Sequence, residues 1–147
     1  MKFLLDASAL LPLVTRSGKK LIAEAANADL LTTDLAIYES CNGLWKLATL
    51  LKTLTLKEAQ DIAVVLNELT AKNLIQTINF TNMDLSHTLG MAQKAQVTFY
   101  DASYIAISQS IKATLATEDQ KLLKAASKSA VETISFSQLQ NELAKNF

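Results

Sequence analysis

Four carboxylates along this chain stand beside hydroxyls or an amide, and the aspartates among them adjoin no basic residue. Asp6 opens the triplet DAS, with Ser8 two positions on. Glu39 is followed by Asn42, one turn further along the same helical face. Asp101 heads the apolar stretch FYDASYIAIS, and the pair Glu118–Asp119 comes directly after Thr117. Carboxylates that face one another repel and raise each other's pKa values. A divalent cation removes that difficulty, and an oxygen-only donor set of this kind suits magnesium or manganese. Such an ion lowers the pKa of bound water and stabilises negative charge on a phosphate. Each aspartate also has a plainer reading as a helix N-cap, because acids favour helix N-termini. Glu39, inside an apolar helix, does not fit the plainer reading.

That chemistry needs a fold that carries the acids to one place. KFLL (2–5) reads as a buried strand ending at Asp6, and ASALLPLV as a short helical segment limited by Pro12. GKKLIAEAANA (18–28) has helical spacing, with Leu21, Ala25 and Ala28 on one side. LLTT (30–33) is a strand, with Asp34 as the N-cap of a helix over 34–52. In that helix Leu35, Tyr38, Cys41, Trp45, Ala48 and Leu51 form the apolar stripe, which assigns Tyr38 and Trp45 to the core and makes Cys41 a buried, inert thiol. Thr55 with Glu58 three residues on predicts a capped helix over 55–72. LIQTINF (74–80) alternates as a strand. A helix capped by Thr81 spans 81–96, and Asp101 begins another that ends near Lys112. ATLAT (113–117) and VETIS (131–135) are strands, Asp119 starts a helix, and SFSQLQNELAKN (135–146) is the last one.

Short apolar strands alternating with amphipathic helices predict an α/β/α sandwich around a short-stranded, mostly parallel, twisted sheet. In such a sheet ligands bind outside the C-terminal strand ends. Asp6, Glu118 and Asp119 fall there directly, and Asp101 and Glu39 lie within reach. His87, the only histidine, is expected on an exposed helix side. Lys121, Lys124 and Lys128 share one side of their helix, and with Lys19 and Lys20 they read as solvated lysines with phosphate contact as the functional alternative.

The bulk composition narrows the classes. A length of 147 residues suits one domain over 1–147. Half the residues are hydrophobic and 19% charged, which excludes a disordered chain. Three glycines and one proline leave no room for a flexible linker. With 14 basic and 14 acidic residues the net charge is zero, and Arg16 is the only arginine, so nucleic-acid contact has to be local. The lone Cys41 excludes a disulfide-stapled secreted domain. No apolar run reaches the roughly 18–20 residues that span a bilayer, and Asp6 interrupts the N-terminal apolar stretch too early for a signal peptide. A cytoplasmic setting is the expectation.

LLDASALLPLV, YESCNGLWKL, FYDASYIAIS and LATEDQKLLKAA, in this order and spacing, resemble the PIN domain, and within it the VapC-type toxins. The resemblance implies a metal-dependent endoribonuclease whose acidic quartet matches Asp6, Glu39, Asp101 and Asp119 and binds magnesium or manganese. It matches Ser8 and Thr117 to hydroxyls that support the site, and Asn42 to a polar residue one turn after the glutamate. Many members carry a further aspartate after the fourth acid. Here Lys121 and Leu122 follow in DQKLLK, and Glu118 is the available substitute ligand. The resemblance also implies an RNA substrate, an antitoxin partner and a homodimer, for which the aliphatic helix of residues 55–72 offers a face. Two other readings remain open at this point. One is phosphoryl transfer through an aspartyl-phosphate on Asp6, although the chain lacks the usual DxD and the lysine after a later strand. The other is a catalytically silent binding module on the same fold.

Overall fold

A computed structural model describes residues 1–25 and 27–145, with Leu21 described by its backbone alone. The sheet has five parallel strands in the order β3-β2-β1-β4-β5. They are β1 (Lys2–Leu5), β2 (Asp29–Thr33), β3 (Gln76–Ile78), β4 (Thr114–Ala116) and β5 (Thr133–Ile134). In β1 every residue after Lys2 is buried, and in β2 every residue after Asp29. Continuous burial, rather than alternation, is what a strand covered on both faces requires.

The chain leaves β1 through α1 (Ala7–Pro12), a π turn (Leu13–Ser17) and α2 (Gly18–Glu24) to reach β2. Helices α3 (Asp34–Thr49) and α4 (Leu56–Ala71) lead to β3, α5 (Leu85–Ala95) and α6 (Phe99–Ile111) lead to β4, and α7 (Gln120–Lys128) leads to β5. Helix α8 (Phe136–Ala144) closes the described chain. Right-handed crossovers put connections that run in opposite directions along a sheet on opposite faces. The packing agrees: α1 meets α3 and α3 meets α4, with α8 against α2, while α5 meets α6 and α6 meets α7. The expected three-layer sandwich is therefore observed. The first two crossovers go one way from β1, and the third carries the chain back past β1 to β4. The gap between β1 and β4 is thus the topological switch point, where such sheets open a crevice.

Several boundaries differ from the sequence reading for identifiable reasons. Pro12 is the last residue of α1, as expected, but the helical backbone does not stop there. The chain widens into the π turn after it and ends that turn at Gly18, whose φ of 66° suits glycine. Thr33, not Asp34, caps α3 by accepting from the Ala36 N–H at 3.0 Å. Asp34 sits in the first turn and accepts from Leu35 and from the Phe80 N–H at 3.1 Å. Helix α5 starts later than expected because Asp84, not Thr81, is its cap, and β3 is shorter because Phe80–Asn82 is a 3-10 turn. Thr55 and Ser135 cap their helices, Ser135 through a full capping box with Gln138. The expectation for the last helix extends to Asn146, and the assignment of Leu21 to an apolar side concerns its side chain; both lie outside the described residues.

The largest correction concerns α3. Its inward face is Ala36, Ser40 and Leu44. Of the stripe expected in the core, Leu35 packs against the core and Ala48 is half-buried, but the other members point outward. Tyr38 is 77% exposed, Trp45 50% exposed, and Cys41 and Leu51 are exposed as well. Small residues win the inward face because α3 packs closely on α1. A Cβ on Gly43 would come within 3.0 Å of the Leu11 methyl carbon. Chemical denaturation checks this rotation. Leu44→Ala is expected to cost about 2–5 kcal/mol and Tyr38→Ala less than about 0.5 kcal/mol. Equal losses would restore the rejected face.

Candidate active site

Strand β1 delivers Asp6 to the C-terminal edge of the sheet, where it is only 5% exposed. A buried carboxylate must find donors, and Asp6 finds them on both sides. Ser8 Oγ donates to Oδ1 at 2.6 Å and the Ala9 N–H to the same oxygen at 3.0 Å. Thr117 Oγ1, just past β4, donates to Oδ2 at 2.5 Å. The pairing of β1 with β4 sets this last contact, since the Asp6 N–H reaches the Ala116 carbonyl at 3.2 Å. Burial raises the Asp6 pKa, and the hydroxyl and amide donors oppose that rise.

The same donors organise the far side of the switch point. Ser8 Oγ accepts from the Glu118 N–H at 2.8 Å, and Thr117 Oγ1 accepts from the Asp119 N–H at 3.0 Å. Asp119 then caps α7, its Oδ1 accepting from the Lys121 and Leu122 N–H groups at 2.9 and 3.1 Å. The hydroxyls picked out in the sequence therefore bridge β1 to β4. Glu118 turns elsewhere, its Oε1 accepting from the Phe136 N–H at 2.5 Å. Asn42 lies exposed on α3, one turn beyond Glu39.

Glu39 and Asp101 complete the cluster from the two helix layers. The Glu39 pKa is raised by desolvation and further by the charges of Asp6, Asp101 and Asp119, against a hydrogen bond that lowers it. That bond comes from Tyr104, whose hydroxyl donates to Oε1 at 3.2 Å. Burial and the Glu39 charge push the Tyr104 phenol far up, so it remains a donor. Asp101 is raised by desolvation and by Asp119, while Lys121 and the Thr98 hydroxyl lower it. Asp101 does not begin α6 as the sequence suggested. Thr98 is the cap, accepting from the Asp101 N–H at 3.1 Å, and Asp101 sits in the first turn.

Glu39 thus feels the charges of the other three acids, and Asp101 that of Asp119. Among the described residues, no three acidic, histidine or cysteine side chains stand close enough to enclose a metal ion by themselves. The donor chemistry fits a hard divalent cation nonetheless: the donors are oxygens, and added positive charge would relieve the repulsion that raises Glu39 and Asp101. Tyr104 and Lys121 were not singled out for this centre by sequence. Tyr104 was legible as the residue three positions after Asp101 on the same helix. Lys121 was legible as a cation two positions after Asp119.

Comparison with known proteins agrees with this fold. The PIN domain family matches residues 3–128. Ribonuclease VapC3 of Pyrobaculum aerophilum is 34% identical over 125 residues, covering 83% of this chain and 92% of that protein. Exonuclease VapC9 of the same organism is 31% identical over 123 residues, 84% of each. The crystal structure of PAE2754, also from Pyrobaculum aerophilum, superposes with a TM-score of 0.75 at 26% identity, covering 99% of this chain and 96% of that one.

The raised carboxyls predict a pH dependence. A carboxyl whose folded pKa lies above its unfolded value destabilises the fold once ionised, so the penalty is absent below the unfolded pKa and complete above the folded one. Without divalent metal, Asp6, Glu39 and Asp101 all contribute in this sense. In calorimetric melting with chelator, Asp101→Asn is expected to melt no lower than the wild type at pH 7. Its advantage should shrink as pH falls into the ordinary carboxylate range. A variant that melts lower at pH 7 would show that the Asp101 charge is not opposed.

Proposed function

The chain belongs to the PIN-domain family, and from that premise we propose that it is a divalent-metal-dependent endoribonuclease, the toxin of a toxin–antitoxin pair. The observation that carries this reading is the electrostatic convergence of Asp6, Asp101 and Asp119 on Glu39 beside the β1–β4 switch point. Asp6, Asp101 and Asp119 would hold the ion, with Glu39 as a further ligand or base. Glu118 is a weaker candidate because its carboxylate serves the Phe136 N–H. Bound magnesium or manganese supplies a water of lowered pKa and positive charge against the phosphate.

The remaining roles belong to the chain. Ser8 and Thr117 fix both Asp6 oxygens, so the carboxylate is held in one orientation and its burial is partly offset. Glu39, with its raised pKa, is suited to take the proton of an attacking water. Tyr104 orients Glu39 through Oε1 and leaves Oε2 for that proton. No histidine is required, which suits the exposed position of His87.

The names of the two relatives divide between a ribonuclease and an exonuclease, so the mode of cutting needs its own test. The VapC-type likeness supports an antitoxin partner and a homodimer. The exposed Trp45, Leu50, Leu51, Leu56 and Val64 of α3, α4 and their connection are available to both. A single domain and a cytoplasmic location complete the proposal. Among the described residues, no helix is long and apolar enough to cross a membrane.

A catalytically silent module is the second reading, favoured by the spread of the acids and by Lys121 and Leu122 in the segment where relatives often carry another aspartate. A closed circular RNA incubated with manganese separates the two. The wild type is expected to linearise it, chelator to abolish cutting, and Asp101→Asn to lower the rate about 10²-fold or more. Tyr104→Phe, which frees Glu39, is expected to cost about 10–100-fold. Cutting that ignores chelator or Asp101→Asn contradicts the mechanism. Absence of both cutting and manganese binding by calorimetry establishes the silent module.

A further inference from the structure

Helix α7 carries a second feature that leads away from the acids. A cleft of about 950 Å³ opens between α5, the end of α6 and α7. His87 and Lys94 line it from α5, and Lys121, Lys124 and Lys128 from α7. Among the described residues no aspartate or glutamate lines it. In a chain of zero net charge that is a sharp segregation of sign. Among the described residues the ion pairs use Lys19, Lys57 and Lys145, and none of the four cleft lysines. Lys121 feels the charge of Asp101, and Lys94, Lys124 and Lys128 make no ion pair among the described residues, so an anion in the cleft would meet unneutralised charge.

The spacing indicates the kind of anion. Lys121, Lys124 and Lys128 follow an i, i+3, i+7 series on one side of α7, and at 1.5 Å per residue they span roughly 10 Å. A single phosphate cannot meet all three ammonium groups, whereas a strand with regularly spaced phosphates can. The cleft is linked to the acids through the start of α7, since Lys121, which lines it, stands two residues after Asp119. Asp119 caps α7, and Lys121 lies in the field of Asp101. A strand with one phosphate at the acids would thus extend along α7 past Lys124 and Lys128, facing Lys94. Among the described residues no Phe, Tyr or Trp lines the cleft, so those residues offer phosphate contact and no aromatic platform for bases.

We propose that the lysine-lined cleft along α7 is the track for the RNA backbone beyond the scissile phosphate. This extends the ribonuclease reading and rests on it for the direction of the strand. The contacts are with phosphates, so the track binds RNA largely irrespective of sequence and in a salt-dependent way.

The test is Lys94→Gln/Lys124→Gln/Lys128→Gln, with the three single variants beside it and melting curves to confirm folding. None of these residues belongs to the acid cluster. Binding of an unstructured RNA of about 20 nucleotides is measured with chelator present, at salt from about 50 to 200 mM. The triple variant is expected to bind about 10-fold more weakly or worse, with the slope of log K against log salt reduced in size by about 2, since each single-strand phosphate contributes about 0.7. In cleavage assays its KM rises for the long RNA and its kcat is retained on a tetranucleotide. Equal affinity and slope in wild type and triple variant overturn the track, even if the wild type cuts RNA normally. RNA binding that depends on the lysines in a protein that does not cut leaves the track standing and removes the nuclease reading. Polyglutamate of matched charge that binds the wild type more tightly than RNA, and loses affinity in the variant, overturns the track in favour of an acidic protein segment.

Discussion

The structure turns on one buried carboxylate. Asp6 is nearly inaccessible at the end of a central strand, and an unsatisfied charge there would cost several kcal/mol. Its donors come from its own helix start and, across 111 residues of chain, from Thr117. The second group arrives only if β4 inserts beside β1. The reversal of strand order that opens the crevice is therefore the same event that satisfies the acid at its base. From Asp6 the network passes through Thr117 and Ser8 to the backbone of Glu118 and Asp119, which positions the next acid. The site and the centre of the sheet are one construction.

Helix geometry explains how like charges are tolerated so close together. Asp6 caps α1, Asp119 caps α7, and Asp101 lies in the first turn of α6. Each carboxylate thus sits where unpaired N–H groups and the helix dipole favour negative charge. A capping role and a place in the acid cluster initially look like competing explanations for these aspartates. For Asp6 and Asp119 the fold makes them the same geometry, because these helices start at the C-terminal strand edge. Glu39 has no such support. It is held instead by Tyr104, and its pKa is raised first by burial and then by the charges of the other three.

Much of this was legible in the sequence, for reasons that also mark where legibility ends. The apolar runs KFLL and LLTT fix two buried strands, and threonine or serine before a helical pattern fixes several starts. Acids following strands locate the edge. The orientation of α3 was misread because Tyr38, Cys41 and Trp45 make a convincing apolar stripe, while the true inward face of Ala36, Ser40 and Leu44 is small and partly polar. Periodicity identifies a stripe and cannot tell a core face from one left outside. Close packing against α1, permitted by Gly43, selects the small side. Local competition accounts for the shifted caps, since Thr98 and Thr33 precede the aspartates and take the cap first. The spacing of Tyr104 and Lys121 from Asp101 and Asp119 is local, but the contacts that give them their roles run between elements, which no local pattern reports.

The claim on which everything rests is that the four acids share one electrostatic field. Carboxyl-carbon NMR titration of Glu39 measures this most directly, in the wild type and in Asp101→Asn with chelator present, and in the wild type with magnesium. The Glu39 midpoint is expected to lie above the ordinary glutamate value in the wild type, to fall when the Asp101 charge is removed, and to fall further with magnesium. A Glu39 midpoint unmoved by either change would contradict a shared site.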